Sequence, residues 1–168
     1  MTHATSISRT DQGLILTRRL PASTDTVFAA LSNADDLMSW WGPPECPMVT
    51  CTLDFRPGGV WHYQLRCLRT GREIWARSVY REIDPPRRLR YFETASGPDG
   101  RITHDRPAAD VTVGLEPDGS DTTLTVTIRY SSVLERDRAL AMGIERGFSA
   151  ALDLLVDLLR SRSHSRTD

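Results

Sequence analysis

Lysine is absent from this 168-residue chain: the 21 basic residues are all arginine, set against 22 acidic residues for a formal net charge of −1. A near-neutral balance with no block of like charge excludes nucleic acid or an anionic membrane surface as the main partner. Long apolar runs are missing too. None approaches the ~20 residues that span a bilayer, and the stretch Met1 to Gln12 is polar, without an apolar leader. Cysteine is scarce: Cys46, Cys51 and Cys67 are an odd number and form no C-x-x-C pair. That pattern argues against a disulfide framework or a zinc site, so the thiols read as small apolar filler and the reducing cytoplasm is the expected location. No cluster of metal-ligand spacing occurs, and no cofactor is expected.

What is present fits one domain, since domains commonly run ~100–200 residues. The arginines have two readings. They could form a patch for carboxylate or phosphate, or they replace lysine wherever a solvated cation suffices, as in a GC-rich genome. Their scatter from Arg9 to Arg166 favours the second.

Residues 1–11 and 161–168 are Ser/Thr/Arg-rich and read as a disordered N-terminus and a frayed C-terminus, leaving one domain over 12–160. Residues 12–20 alternate as a first strand, stopped by Pro21. Ser23 or Thr24 can cap a short helix, and Asn33 to Asp36 restarts a second that Gly42-Pro43-Pro44 ends. The period then switches to two for six strands: 48–55, 60–68, about 73–83, 87–94, 110–116 and 122–130. In the last pair Val111, Val113 and Leu115 match Leu124, Val126 and Ile128 on one parity, with threonines on the other. Such alternation marks an antiparallel sheet with one solvated face. From Leu134 to Arg160, Leu140, Ile144, Phe148, Leu152, Leu155 and Leu159 make a helical stripe. Gly143 and Gly147 inside it predict a close backbone approach or a bend. The order is strand, two short helices, six strands and one long helix: an α+β fold in which a sheet grips a helix.

Four passages carry more than fold class: Trp40-Trp41-Gly42-Pro43; Asp54 to Trp61 through Arg56-Pro57-Gly58-Gly59; Tyr80 to Leu89 through Asp84-Pro85-Pro86-Arg87; and Arg136-Asp137 followed by Gly143 to Phe148, Leu152 and Leu155. In this order the chain resembles the family named after the C-terminal domain of the activator of the 90-kDa heat-shock protein ATPase, within the START-like, helix-grip SRPBCC superfamily. The likeness spans residues ~12–160. Phe148 departs from it, since members often carry tryptophan after that glycine, but an aromatic is kept. The resemblance implies a curved antiparallel sheet wrapped around the C-terminal helix with a cavity between them. Superfamily members use that cavity for lipids, sterols or polyketides; a few are aromatase/cyclases and others co-chaperones.

Trp61, Tyr63 and Leu65 share one strand face. With Trp75, Tyr91 and Phe148 they are the expected cavity lining, and Trp40 and Trp41 the expected plug and rim. Filling a solid core is the plainer alternative, although four indole N–H groups need partners. Arg56-Pro57-Gly58-Gly59 reads as turn chemistry, because no helix follows to cradle an anion. His62, Glu73, Tyr91, Glu93 and His104 are the titratable candidates for chemistry, yet they make no nucleophile–base–orienter set, so no catalytic residue is assigned. The first reading is therefore a binding protein for a small hydrophobic or amphipathic ligand. An aromatase/cyclase-like enzyme with Glu93 or Tyr91 in the cavity is the second. A chaperone partner like the founding member is the third, weakened because only about eleven polar residues precede the first strand. A homodimer through a sheet edge is compatible with all three. Arg66, Arg77 and Arg90 lie on strands, and an inward arginine would suit an apolar acid.

Overall fold

The computed structural model describes residues 4–165. One eight-stranded antiparallel sheet runs in the order β1-β2-β8-β7-β6-β5-β4-β3. Its strands are β1 (Ser6–Arg9), β2 (Gly13–Leu20), β3 (Met48–Leu53), β4 (Val60–Arg66), β5 (Glu73–Asp84), β6 (Arg88–Ala95), β7 (Ala109–Asp118) and β8 (Asp121–Tyr130). Helices α1 (Thr24–Leu31) and α2 (Ala34–Trp40) follow β2, and α3 (Val133–Ala141) and α4 (Ile144–Ser165) close the chain. No helix among the described residues is long and apolar enough to cross a membrane.

Local chemistry explains the boundaries. Ser23 Oγ accepts from the Thr26 amide, Asn33 Oδ1 from that of Asp36, and Ser132 Oγ from that of Glu135, so each short helix starts on a side-chain cap. Alternate residues of β2, β7 and β8 are buried on the inner face, in one core with Leu152, Leu155, Val156 and Leu159 of α4 and with Val27, Phe28, Ala30 and Leu31 of α1. Arg162 of α4 and Asp36 of α2 form an ion pair that ties the helices together, and the guanidinium holds the Asp36 carboxyl below its ordinary range.

Four expectations are corrected. The N-terminal segment is ordered over Ser6–Arg9, which pairs with Leu14–Thr17. The backbone ladder makes this strand, not apolar patterning, for only Ile7 packs against the core. Residues 1–3 and 166–168 of the expected tails lie outside the described residues, while 161–165 continue α4. The expected single long helix is two. Gly143 takes φ +86°, a left-handed value open mainly to glycine, and α3 ends there. Finally, Cys46 and Cys67 are not filler thiols but a disulfide with Cα atoms 3.9 Å apart. A register shift between Met48 and Thr50 sets Met48 opposite Leu65, and two steps further on Cys46 stands opposite Cys67. Cysteine usage thus gives no support to a reducing compartment. Cys51 is the free cysteine.

The strand arginines also sort cleanly. Arg66 and Arg90 pair with Glu73 and Asp110 on the outer face, and Arg77 stands there opposite His62 and Thr94. Arg18 of β2 is the inward one, 2% exposed, and Asp153 of α4 meets it at 2.6 Å. A carboxylate there removes the cost of an unpaired buried charge.

Candidate ligand-binding site

Toward β4–β6 the sheet curls away from the N-terminal half of α4 and leaves a cavity of about 370 Å³. Its floor is the inner face: Tyr63 and Leu65 of β4, Ile74 of β5, Tyr91 and Glu93 of β6, Val111 of β7, and Ile128 and Tyr130 of β8. Its roof is Ile144, Gly147, Phe148 and Ala151 of α4 with Ala139 and Met142 before them. Side walls come from the segment after α2, Trp41 to Cys46, and from Arg106-Pro107 in the β6–β7 loop. The disulfide sits in the first wall. The second is held by Arg138 of α3, which donates to the His104 and Asp105 carbonyls at 3.0 and 2.9 Å. Volumes of ~300–1,000 Å³ with mostly apolar walls are usual for small-molecule sites.

Trp41 is the hub of the aromatic wall. Its ring lies 5.4 Å from Phe148, 6.1 Å from Tyr63 and 4.9 Å from Trp61, each edge-to-face. Its neighbour Trp40 does not line the cavity. It is 1% exposed in the core and donates its indole N–H to the Ala30 carbonyl at 2.9 Å. Trp61 is buried behind Trp41 and Tyr63 and backs the wall without lining it. Trp75 is a correction. It stands opposite Gln64, on the strand parity of His62 and not of Tyr63. It therefore points to the outer face and stacks on the His62 ring at 5.0 Å, while His62 Nε2 lies 3.1 Å from the Gly97 carbonyl. Of the expected lining, the structure thus brings Trp41, Tyr63, Tyr91 and Phe148 together around the space.

One acid reaches the cavity floor. Glu93 stands opposite Ser78 in the ladder, and its carboxyl accepts a 2.5 Å hydrogen bond from the Tyr63 hydroxyl. Burial pushes the Glu93 carboxyl above its ordinary range, against the pull of the Tyr63 bond, the Arg106 charge and the Ser78 hydroxyl. The Tyr63 and Tyr91 hydroxyls are raised further above their ordinary value, first by burial and then by Glu93. A carboxyl favoured in its neutral form can donate to a ligand oxygen as well as accept. Glu73 and His104, also candidates for chemistry, are exposed and away from it. No group of three metal-ligating side chains occurs among the described residues.

Arg106, Tyr130, Ala139 and Met142 are lining residues the sequence reading missed. Tyr130 shares the parity of Val126 and Ile128, a signal that was available. Arg106 sits in a Gly/Pro/Asp-rich loop with no periodicity, and nothing in the sequence places it.

A curved antiparallel sheet closed over by a C-terminal helix, with two short helices inserted after the second strand, is the START-like helix-grip architecture. Within that class the chain belongs to the family described as activator of Hsp90 ATPase homolog 1-like protein, which matches residues 21–160. Similar solved structures share the fold. A protein from Arthrobacter aurescens superposes with a TM-score of 0.86 at 23% identity, covering 93% of this chain and 91% of the other. One from Mycobacterium smegmatis gives 0.86 at 21%, covering 94% and 97%. An AHSA1 protein from Silicibacter pomeroyi gives 0.73 at 22%, covering 89% and 99%. A sequence search of curated proteins finds no match.

Proposed function

We propose that the protein binds one small, largely apolar molecule between the sheet and α4. The observation that carries this reading is the cavity of about 370 Å³, walled by Trp41, Tyr63, Tyr91 and Phe148 and entered by a single floor carboxyl. A packed core would have filled that volume, because protein interiors leave few voids larger than a water. An environment-sensitive apolar fluorophore should bind the purified protein saturably at one site, and Gly147→Leu, which puts a side chain into the space, should abolish the binding. Unchanged binding in Gly147→Leu would sink the reading.

A second reading, catalysis on the bound molecule, rests on the Glu93–Tyr63 pair at the cavity floor. A raised-pKa acid hydrogen-bonded to a phenol can move a proton to or from a bound carbonyl. In that case Glu93→Gln keeps the ligand but stops its conversion. A ligand recovered chemically unchanged after long incubation with the native protein removes this reading.

A further inference from the structure

The charges around the cavity are not balanced, and the imbalance bears on what the site takes. Arg146 at the roof is neutralised by Glu45 at 2.6 Å. Arg72 at the mouth and Arg106 in the loop wall make no ion pair among the described residues. Arg106 is partly buried and spends one N–H on the Trp75 carbonyl at 3.0 Å. That bond, with Arg138 holding the two preceding carbonyls, fixes the guanidinium at the cavity and leaves four of its five N–H donors. The remaining acid, Glu93, is disfavoured as an anion by its own burial. The cavity therefore offers an apolar, aromatic body and an unspent cation at one side.

From this arrangement, and resting on the cavity being a ligand site, we infer that the ligand is an amphipathic acid whose aromatic or alicyclic body packs against Trp41, Tyr91 and Phe148 and whose carboxylate pairs with Arg106, with Glu93 supplying a second hydrogen bond. Guanidinium meets carboxylate in a two-point geometry that an alcohol or amide does not reproduce. An amine is disfavoured twice over, by Arg106 and by the need to ionise Glu93.

The acid head also couples binding to protonation. The groups facing Glu93 are Tyr63 from β4, Ser78 from β5, Tyr91 from β6, Tyr130 from β8 and Arg106 from the loop, while α4 presents uncharged Gly147, Phe148 and Ala151 and, paired with Glu45, Arg146. The phenols are raised above their ordinary range and Glu93 above its own, so Glu93 is the acid of this cluster that ionises first as pH rises. A ligand carboxylate beside it favours its protonated form, and affinity falls as pH rises through the Glu93 titration.

The test uses one ring system with three heads: naphthylacetate, naphthylacetamide and naphthylethylamine, titrated into the full chain by calorimetry. The acid should bind about tenfold more tightly than the amide, and the amine most weakly. Arg106→Gln should erase the acid's advantage over the amide, and Arg106→Lys should restore part of it. Glu93→Gln should flatten the pH profile of acid binding. Equal affinities for acid and amide, or an advantage that survives in Arg106→Gln, overturn the acid head and leave the cavity reading standing. Failure of all three probes to bind overturns both.

Discussion

The two halves of α4 meet different surroundings, although one continuous helix makes both. Its C-terminal half lies over β2, β7 and β8, where Leu14, Leu16, Leu124, Val126, Leu152, Leu155 and Leu159 are all 0–1% exposed. Aliphatic side chains of both surfaces interdigitate there, and the one inward charge, Arg18 of β2, is met by Asp153 of α4. The N-terminal half lies over β4–β6, where Ile144, Gly147 and Phe148 face tyrosines and a carboxyl across the cavity. Aromatic rings with fixed edge-to-face contacts do not collapse into such a gap as leucines would. The first half supplies stability, and that lets the second leave volume unfilled.

The largest effect that can break this division is a cavity cut into the packed half. Leu155→Ala removes a fully buried side chain and should cost about 2–5 kcal/mol. Phe148→Ala only widens a space already present, and should cost about 1–2 kcal/mol, chiefly the ring contact with Trp41. Urea unfolding of both variants decides it: equal losses would mean that the two halves are packed alike.

That division was half legible in the sequence. The parity of Val113 and Leu115 against Leu124 and Val126 showed the packed half directly, because side-chain period and burial coincide there. The other half depends on registers that no single strand displays. Trp75 was misplaced because its face follows from pairing with Gln64, and the disulfide was missed because it needs the bulge after Met48. A bulge shifts every later partner by one position. Ser6–Arg9 went unseen for another reason: a ladder can order a strand whose side chains carry almost no apolar signal. Tyr63 is legible through its residue type and strand parity and Tyr91 through its residue type, whereas Arg106 owes its place to a loop held from outside by Arg138.

The acid at the cavity floor separates the halves by pH as well. Its folded-state carboxyl titrates above the ordinary value of 4.5 because burial disfavours the anion. The stability linked to it is therefore present below that value and is lost as pH rises through the folded-state titration. Glu93→Gln, which cannot ionise, should melt several degrees above the native protein on the alkaline side of that range. The gap should close as pH falls toward the ordinary carboxylate range. In the aliphatic half the buried carboxyl, Asp36, is held below its ordinary range by Arg162, so the melting loss in Leu155→Ala should stay constant across the range in which Glu93 titrates. A Glu93→Gln gap that grows toward acid would contradict the burial argument.

The smallest effect sharpens the comparison most, because it asks whether the helix itself records the unfilled space. Gly147 lies inside α4, and a Cβ added there would meet no atom within 4 Å. Glycine in a helix interior costs about 1 kcal/mol relative to alanine, and neither a left-handed φ nor a crowded neighbour requires it at this position. Its lack of a side chain does leave room at the cavity roof. Gly147→Ala should therefore stabilise the fold by about 1 kcal/mol in urea titrations. The same change should weaken probe binding slightly, because one methyl enters the ligand's volume. At Gly143, where φ is +86°, alanine should destabilise instead, since that glycine makes the break between α3 and α4. If Gly147→Ala also destabilised the protein, α4 would be tightly packed along its whole length and the cavity would lose its roof.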